Sequence, residues 1–407
     1  MRVERRGWRE LTPPIAEVRE EPPEVSVVMP CLNEAETLAT CVAAARRALA
    51  EHQLAGEVIV ADNGSTDGSV EIAIAQGGGV RVIAVEAKGY GSALMGGIRA
   101  ARGRYVVMGD ADASYDFGET PKILAHLKRG HDLVQGCRLP SGGGRIEPNA
   151  MPFLHRVWGN PMLTALARWW FGVPIHDIQC GLRGFDRGFW FTLDQQCTGM
   201  EFSSEMLIKA ALKGGRIGEV PITLHRDGRT AHPPHMRTFR DGWRNLRFYL
   251  LFSPRWLFFV PGLILLLLGA VGYGVALPGA SIGAATFDAH TLLFASLSLI
   301  LGYQSVLFAV LTRLFGIVEG FLPSDPRFIR LFDVFNLERG LLAGGVAVVL
   351  GLAFLGLAVS RWYDVDFGRL DYGETMRIVI PGVTLTALGV QTVLSSFVLS
   401  IVGLKRR

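Results

Sequence analysis

At 407 residues, 49% of them hydrophobic, the chain holds more apolar side chain than one soluble core needs and is long enough for more than one domain. A formal net charge of +4 is too small to argue for nucleic-acid binding, and the basic residues gather in a few segments rather than along a groove. The five cysteines, Cys31, Cys41, Cys137, Cys180 and Cys197, show no Cys-x-x-Cys spacing, so neither a zinc knuckle nor a disulfide framework is indicated and a reduced cytosolic domain is expected.

In chain order, residues 1–24 are charged and proline-bearing, lack the apolar stretch of a cleavable signal, and read as a flexible tail. From Val25, short apolar runs alternate with helix-period segments. Strands are expected at Val25–Met29, Glu57–Ala61, Val80–Val85, Tyr105–Met108 and Leu133–Gln135, and helices at Glu34–Ala50, Ser69–Gln76, Ser92–Arg102 and Glu119–Arg129. This alternation predicts an α/β domain whose parallel sheet is covered on both faces. Asn33 with Glu36 three residues on predicts a capping box for the first helix, and Ser65 or Thr66 a cap for the second. Pro30, Asn33 and Glu34 then follow the first strand, Asp62 and Asn63 the second, and Asp110 and Asp112 the fourth. All fall at the carboxyl edge of the sheet, where open α/β sheets bind ligands.

The run Tyr105–Met108 stops abruptly at Asp110 and Asp112, one residue apart. Two close carboxylates repel when desolvated unless a cation lies between them, so a divalent ion holding a phosphate-bearing substrate is the economical reading. Other nucleotide motifs fail. Gly89-Tyr90-Gly91-Ser92-Ala93-Leu94 lacks the third glycine of a dinucleotide fingerprint and does not follow the first strand, and there is no Gly-Lys-Ser/Thr phosphate loop. Dehydrogenase and ATPase chemistries are thereby disfavoured. His232 and His235 have a ligand-like spacing, but Pro233 and Pro234 make that segment a loop.

Over residues 236–254 helical spacing puts Arg240, Arg244 and Arg247, with Arg237 before them, on one face and Phe239, Trp243, Leu246 and Leu250 on another, the pattern of an interfacial amphipathic helix. Residues 255–407 are expected to form a transmembrane domain of four helices, at about 256–277, 292–314, 341–360 and 378–404. Arg255 precedes the first span, Arg313, Arg327, Arg330 and Arg339 lie between the second and third, and Lys405, Arg406 and Arg407 close the chain. That bias predicts a multi-pass protein of the plasma or inner membrane with the N-terminal domain and both termini cytoplasmic. No Asp, Glu, Lys or His lies deep in the spans, which favours an anchor over the alternative class, a transporter or flippase with a nucleotide-binding domain.

The segments Val27-Val28-Met29-Pro30-Cys31-Leu32-Asn33-Glu34, Ala61-Asp62-Asn63-Gly64-Ser65-Thr66-Asp67-Gly68 and Met108-Gly109-Asp110-Ala111-Asp112 together resemble family 2 glycosyltransferases of the GT-A fold, over about Val25–Pro254. Gly136-Cys137-Arg138, the run Asp177 to Phe185, and Ile217 to Ile222 look like the polyprenyl-phosphate sugar transferases, the group of dolichyl-phosphate mannose synthase. The resemblance implies a Rossmann-like GT-A catalytic domain over 25–235. It further implies inverting transfer of a hexose from a GDP-mannose or UDP-glucose type donor to dolichyl or undecaprenyl phosphate. Pro30, Asn33, Glu34, Asp62 and Asp110 would then line the nucleotide-sugar pocket, Asp110 and Asp112 would hold Mg2+ or Mn2+, and Arg138, Arg183 and Arg226 would lie near the acceptor phosphate. Two departures stand out: Asn63 where many relatives have a second Asp, and His225 to Met236 without the usual Gly-x-Ser-Lys.

A lipid phosphate is already anionic near neutral pH, its second pKa being about 6, so such a site needs cations rather than a strong base. A hydroxyl acceptor on a glycolipid or polysaccharide, the alternative within glycosyl transfer, would need a base, with Asp177 and Glu201 as candidates. The Gln-x-x-Arg-Trp signature of chain-extending relatives is missing: Arg255-Trp256 follows Leu251-Phe252-Ser253-Pro254. The partners expected are a nucleotide sugar, a polyprenyl phosphate and the membrane, with no nucleic acid; homo-oligomerisation is left open.

Overall fold

The computed structural model describes residues 7–12, 22–230, 238–283, 285–318 and 336–403, with isolated positions 322, 326, 328 and 330. His232, His235, Arg237, Arg327, Lys405, Arg406 and Arg407 lie outside the described residues, as do 1–6 and 13–21 of the expected tail. The chain divides into two compact units, Met1–Tyr249 and Leu250–Arg407.

The first unit is built on an eight-stranded sheet. Its strands are β1 (Trp8–Glu10), β2 (Val25–Cys31), β3 (Gly56–Asp62), β4 (Val80–Val85), β5 (Tyr105–Met108), β6 (Leu133–Cys137), β8 (Arg183–Asp186) and β9 (Ile217–Pro221), in the order β1-β4-β3-β2-β5-β8-β6-β9. Two short strands, β7 (Arg145–Ile146) and β10 (Thr223–Leu224), pair separately. Helices α1 (Leu38–Glu51), α2 (Ser69–Ala75), α3 (Tyr90–Ala100) and α4 (Thr120–Lys128) connect the first strands, and α5 (Asn160–Phe171), α6 (Arg187–Leu193), α7 (Phe202–Leu212) and α8 (Thr238–Phe252) follow. Because side chains alternate along a strand, β2 serves both faces at once. Val27 and Met29 join Val58, Val60, Leu38, Val42 and Leu124 in one core, while Val28 points the other way, against Gly97 of α3.

The strands expected from sequence are present, but the sheet is mixed. β8 is antiparallel to both β5 and β6, with Arg183 opposite Met108 and Gln135. The reason is topological. The chain leaves β6 at the carboxyl edge, stays there through residues 138–182, and re-enters the sheet from that same edge, so it must run back down. A second correction concerns the tail. Trp8–Glu10 forms an edge strand on β4, and Arg81 fixes it there, donating from Nε to Glu10 Oε1 (2.7 Å) and from Nη1 to Glu57 Oε2 (2.8 Å). A buried guanidinium left without these carboxylates would be costly, which is what holds the short strand.

The caps also differ from expectation. Helix α1 begins at Leu38, Asn33 sits in the left-handed region at φ 59°, and Glu36 binds Thr230 rather than its own helix end. At α2, Asp67 rather than Ser65 or Thr66 accepts from Ser69 N (3.0 Å). In the first unit, burial pushes the Cys31, Cys41, Cys137 and Cys180 thiols up to about 12, the state of inert thiols.

The second unit holds α9 (Val260–Ala276), α10 (Ala289–Val318), α11 (Leu337–Tyr363) and α12 (Tyr372–Gly403), the last bearing Pro381. Four stretches, Arg255–Ala276, Ala289–Val318, Leu337–Tyr363 and Tyr372–Val402, are long and apolar enough to cross a bilayer, and they enclose the four expected spans but for the last residues of the first and the fourth. Glycine lets the helices touch by backbone. A Cβ on Gly262 would lie 2.9 Å from Gly302 O, and one on Gly344 or Gly351 would lie 2.8 or 2.7 Å from the carbonyls of Gly389 and Gly382. Hydroxyls reinforce the packing: Tyr273 and Ser296 both meet Thr384, and Tyr303 meets Thr392.

Candidate active site

The parallel order β3-β2-β5 contains a switch point. The chain winds from β2 outward through β3 and β4, then returns to β5 on the other side of β2. Pairing of β2 with β5 stops at Val28 opposite Met108, so β2 runs on alone toward Pro30, where the missing N–H costs no ladder bond on that side. Past that point Pro30, Asn33 and Glu34 follow β2, Asp62 ends β3, and Asp110 and Asp112 follow β5, all at the carboxyl edge of the sheet.

On the β2/β3 side the loops are locked to each other. Asp62, at the end of β3, is 5% exposed and accepts from Gly64 N (2.9 Å) and Ser65 N (3.1 Å). Ser65 Oγ accepts from Asn33 N (2.9 Å), and Asn33 Oδ1 accepts from Thr66 N (2.9 Å). Asn63 spends its amide on Val85 O (3.0 Å) and Ala87 O (2.8 Å) and accepts from Gly89 N (2.8 Å). An amide both donates and accepts there, which a carboxylate could not do. Asn63 therefore fastens the β4–α3 loop from a buried position, and its departure from the usual Asp is structural.

Past β5, Asp110 accepts from the Tyr90 hydroxyl (2.8 Å), and Asp112 accepts from Ser114 N and Oγ (3.0 and 2.5 Å). Ala113 between them and the helix stands at φ 61°, a left-handed backbone that alanine enters only under strain, roughly 1–3 kcal/mol. Burial, and then the Asp112 carboxylate, push Asp110 up to about 6. A cation at the pair would oppose both causes. Gly181 closes over this group: a Cβ there would lie 2.6 Å from Asp110 Oδ2 and 3.0 Å from Tyr115 Cε2. Gly181→Ala is accordingly expected to lower turnover by about a hundred-fold, the scale of a one-ångström misplacement. Overpacking should cost only about 1–3 kcal/mol of stability. Parallel measurement of kcat and of the melting temperature checks this, and unchanged turnover would show that Asp110 is free to move.

One arginine that sequence reasoning missed, Arg229, joins the parts. Its side chain is 7% exposed, with Nη1 3.0 Å from Glu34 Oε1, Nη2 3.3 Å from Asp112 Oδ2, and Nη2 2.5 Å from Asp227 Oδ2. Burial works against its charge, but Asp227, Glu34 and Asp112 outweigh it and raise its pKa. Its loop is seated on the carboxylate turn by Gly228 N to Asp112 O (2.9 Å) and His225 N to Ser114 O (3.0 Å).

Compared with known proteins, residues 26–190 match the family described as Glycosyl transferase family 2, and residues 310–403 match the Glycosyltransferase family 2 C-terminal transmembrane region. The chain is 39% identical over 389 residues to the "Low-salt glycan biosynthesis hexosyltransferase Agl6" of Haloferax volcanii, covering 94% of this chain and 89% of that protein. The protein belongs to glycosyltransferase family 2. It is also 33% identical over 213 residues to a "Dolichyl-phosphate hexose transferase" of the same organism, covering 52% of this chain and 87% of that one. Among solved structures, glucosyl-3-phosphoglycerate synthase from Mycobacterium tuberculosis aligns with a TM-score of 0.44 at 23% identity, covering 56% of this chain and 78% of that one. This family 2 glycosyltransferase is a membrane protein with a mixed-sheet Rossmann-like GT-A domain and a C-terminal region of four apolar helices.

The three arginines expected beside the acceptor phosphate fare differently in this glycosyltransferase. Arg183 is fully buried, donating to Ser203 O (2.6 Å) and Cys180 O (2.7 Å), and burial lowers its pKa. The bond to Ser203 ties β8 to α7. Arg138 is 8% exposed and forks onto Asp177 through Nε (2.7 Å) and Nη2 (2.9 Å), with Nη1 donating to the Tyr115 hydroxyl (3.2 Å). Tyr115 in turn accepts from Gly181 N (2.9 Å), so Arg138 reaches the Asp110 surroundings through Tyr115. Arg226 is exposed, its Nε donating to Pro148 O (2.7 Å).

Proposed function

We propose that the protein transfers a hexose from a nucleotide sugar, of GDP-mannose or UDP-glucose type, to a polyprenyl phosphate such as dolichyl or undecaprenyl phosphate. We place the reaction on the cytoplasmic face of the membrane, with inversion at the sugar. The observation that carries this reading is the convergence of Asp110 and Asp112 with Glu34, Asn33 and Asp62 at the switch point of a sheet whose chain continues into membrane helices. The lipid-phosphate acceptors in the names of relatives, dolichyl-phosphate hexose transferase and "Undecaprenyl-phosphate 4-deoxy-4-formamido-L-arabinose transferase", support it. Sidedness rests on arginines such as Arg240, Arg244, Arg247, Arg255 and Arg339 beside the spans.

No group of three or more His, Cys, Asp or Glu able to hold a metal occurs among the described residues. Two carboxylates fit a Mg2+ or Mn2+ ion that completes its shell with substrate phosphates and water, the usual habit of Mg2+ at phosphate sites. Bound there by Asp110 and Asp112, such an ion would neutralise charge growing on the departing diphosphate. The protein's own groups do the rest. Pro30, Asn33, Glu34 and Asp62 shape the nucleotide pocket, and Tyr90 and Gly181 aim Asp110. An oxygen of the lipid phosphate attacks the anomeric carbon as the bond to the nucleoside diphosphate breaks, and no proton need be removed from an acceptor that is already anionic. We assign Arg226 to that phosphate, and Arg138, with its charge offset by Asp177, serves as a positioning group. A hydroxyl acceptor would need a base. Asp177 is fully buried and spent on Arg138, whereas Glu201 Oε2 lacks a hydrogen-bond partner among the described residues and is the carboxylate that second reading would use.

Transfer of label from a panel of UDP- and GDP-sugars to undecaprenyl or dolichyl phosphate, with and without EDTA, tests the proposal. A glycolipid that vanishes with chelator and returns with Mg2+ or Mn2+ is expected. Product formed only on hydroxyl acceptors would replace the acceptor assignment, and product indifferent to EDTA would remove the metal.

A further inference from the structure

The two oxygens of Asp112 are held by different kinds of group. Oδ1 accepts from Ser114 N (3.0 Å) and Ser114 Oγ (2.5 Å), both in the turn that follows it. Oδ2 faces Arg229, whose Nη2 lies 3.3 Å away. Asp110, by contrast, meets a neutral donor, the Tyr90 hydroxyl at 2.8 Å. The Asp112 oxygen that the turn leaves for a divalent ion is therefore the one a guanidinium holds.

That hold is built into the loop. The Arg229 side chain is buried, and its Nη1 reaches Glu34 Oε1 at 3.0 Å, so one planar fork joins a carboxylate that follows β2 to one that follows β5. The chain carrying it lies close over the carboxylate turn. Gly228 N donates to Asp112 O (2.9 Å), and a Cβ on Gly228 would lie 2.9 Å from Thr37 Cγ2 and 3.2 Å from Ala113 Cβ. Thr230 then fastens the segment to Glu36 through N and Oγ1, each at 2.6 Å.

Arg229 also carries its own counter-ion. Asp227, two residues before it, accepts from Nε (2.9 Å to Oδ1) and from Nη2 (2.5 Å to Oδ2). That pair belongs to one loop, so the guanidinium can give up Asp112 and still be paired. A second cation on the same Asp112 oxygen would be repelled by the first, and the repulsion is stronger where water is excluded.

We propose that Arg229 is a resident cation of the carboxylate pair: it holds Asp112 Oδ2 in the place of a divalent ion, and an ion binds there only as Arg229 withdraws to Asp227. The proposal rests on the assignment of Asp110 and Asp112 to a metal. Arg229 is then a positioning residue that joins Glu34 to Asp112 and sets how strongly the pair takes an ion. A merely structural arginine would give the opposite result on removal, because loosened carboxylates bind a metal less well.

The test titrates Mn2+ into the full chain in detergent and follows the electron paramagnetic resonance signal of the free ion. With Mn2+ alone, Arg229→Gln should bind at least about ten-fold more tightly than the parent, since the charge beside Asp112 is gone. The paired substitution Glu34→Gln with Arg229→Gln keeps the net charge of the parent and strands no buried charge, which guards against both misfolding and a mere change of field. It too should bind more tightly than the parent. Affinity equal to or below the parent's in either folded variant would overturn the proposal. Absence from every protein, with or without added UDP or GDP, of any Mn2+ site that Asp112→Ala removes would instead remove the metal assignment on which the proposal rests.

Discussion

Replacing Asp112 with alanine should cut sugar transfer by about a thousand-fold or more while leaving the protein folded and inserted. Metal-assisted departure of a diphosphate is worth several kcal/mol, and roughly 4 kcal/mol corresponds to about three powers of ten in rate. The structural cost is small by comparison. The Asp112 side chain is partly exposed and contacts Ser114 and Arg229, and Arg229 keeps both Glu34 and Asp227 when Asp112 is removed. Label transfer into glycolipid, measured beside circular dichroism and elution volume of the detergent-solubilised protein, separates the two effects. Turnover retained by the Asp112→Ala protein would end the metal reading.

The largest loss of stability is expected from Asp177→Asn. Asp177 is fully buried and neutralises Arg138, which is itself nearly buried, so the substitution strands a guanidinium in the interior. Removing one partner of such a pair costs about 3–5 kcal/mol. For a unit of this size that is a fall in melting temperature of about 6–20 °C. The double substitution Arg138→Met with Asp177→Leu should recover most of the loss, because the penalty comes from the uncompensated charge and not from the missing attraction. Thermal melts of the parent, Asp177→Asn and doubly substituted proteins in one detergent compare the two losses. A drop under about 1 kcal/mol for Asp177→Asn would be the behaviour of a solvated surface pair and would contradict the burial.

What could be read from sequence follows from how local each signal is. Strands β2 to β6 and the four membrane helices declare themselves by runs and periods within a dozen or two residues, and the carboxylates stand where those runs stop. β8 gave no such signal, since Arg183-Gly184-Phe185-Asp186 neither alternates nor forms an apolar run, and its direction is set by a loop of more than forty residues held at one edge. Arg229 was equally hidden: it meets Glu34 across 195 residues of chain, and nothing in His225–Thr230 distinguishes it from Arg226. The burial of Arg183 was hidden in the same way, because it follows from its register on β5 and β6. Helix α8 shows the reverse. Its arginine and aromatic faces were legible, but the face that docks on the domain, Asp241, Asn245, Phe248 and Tyr249, became apparent only with Ser204, which donates to Asn245 Oδ1 (2.7 Å).

The glycine contacts of the membrane helices set how this part of the chain can drift in evolution. Outward-facing positions such as Val349, Leu350 and Leu352 touch little protein, so one aliphatic residue can replace another there with hardly any effect on helix association. Gly344, Gly351, Gly382 and Gly389 have no such latitude, because even one added methyl group meets the backbone or a side chain of the facing helix. Sequence change in this region should therefore be channelled: four small positions are expected to act as fixed points of the α11–α12 pair, with variation confined to the outward faces.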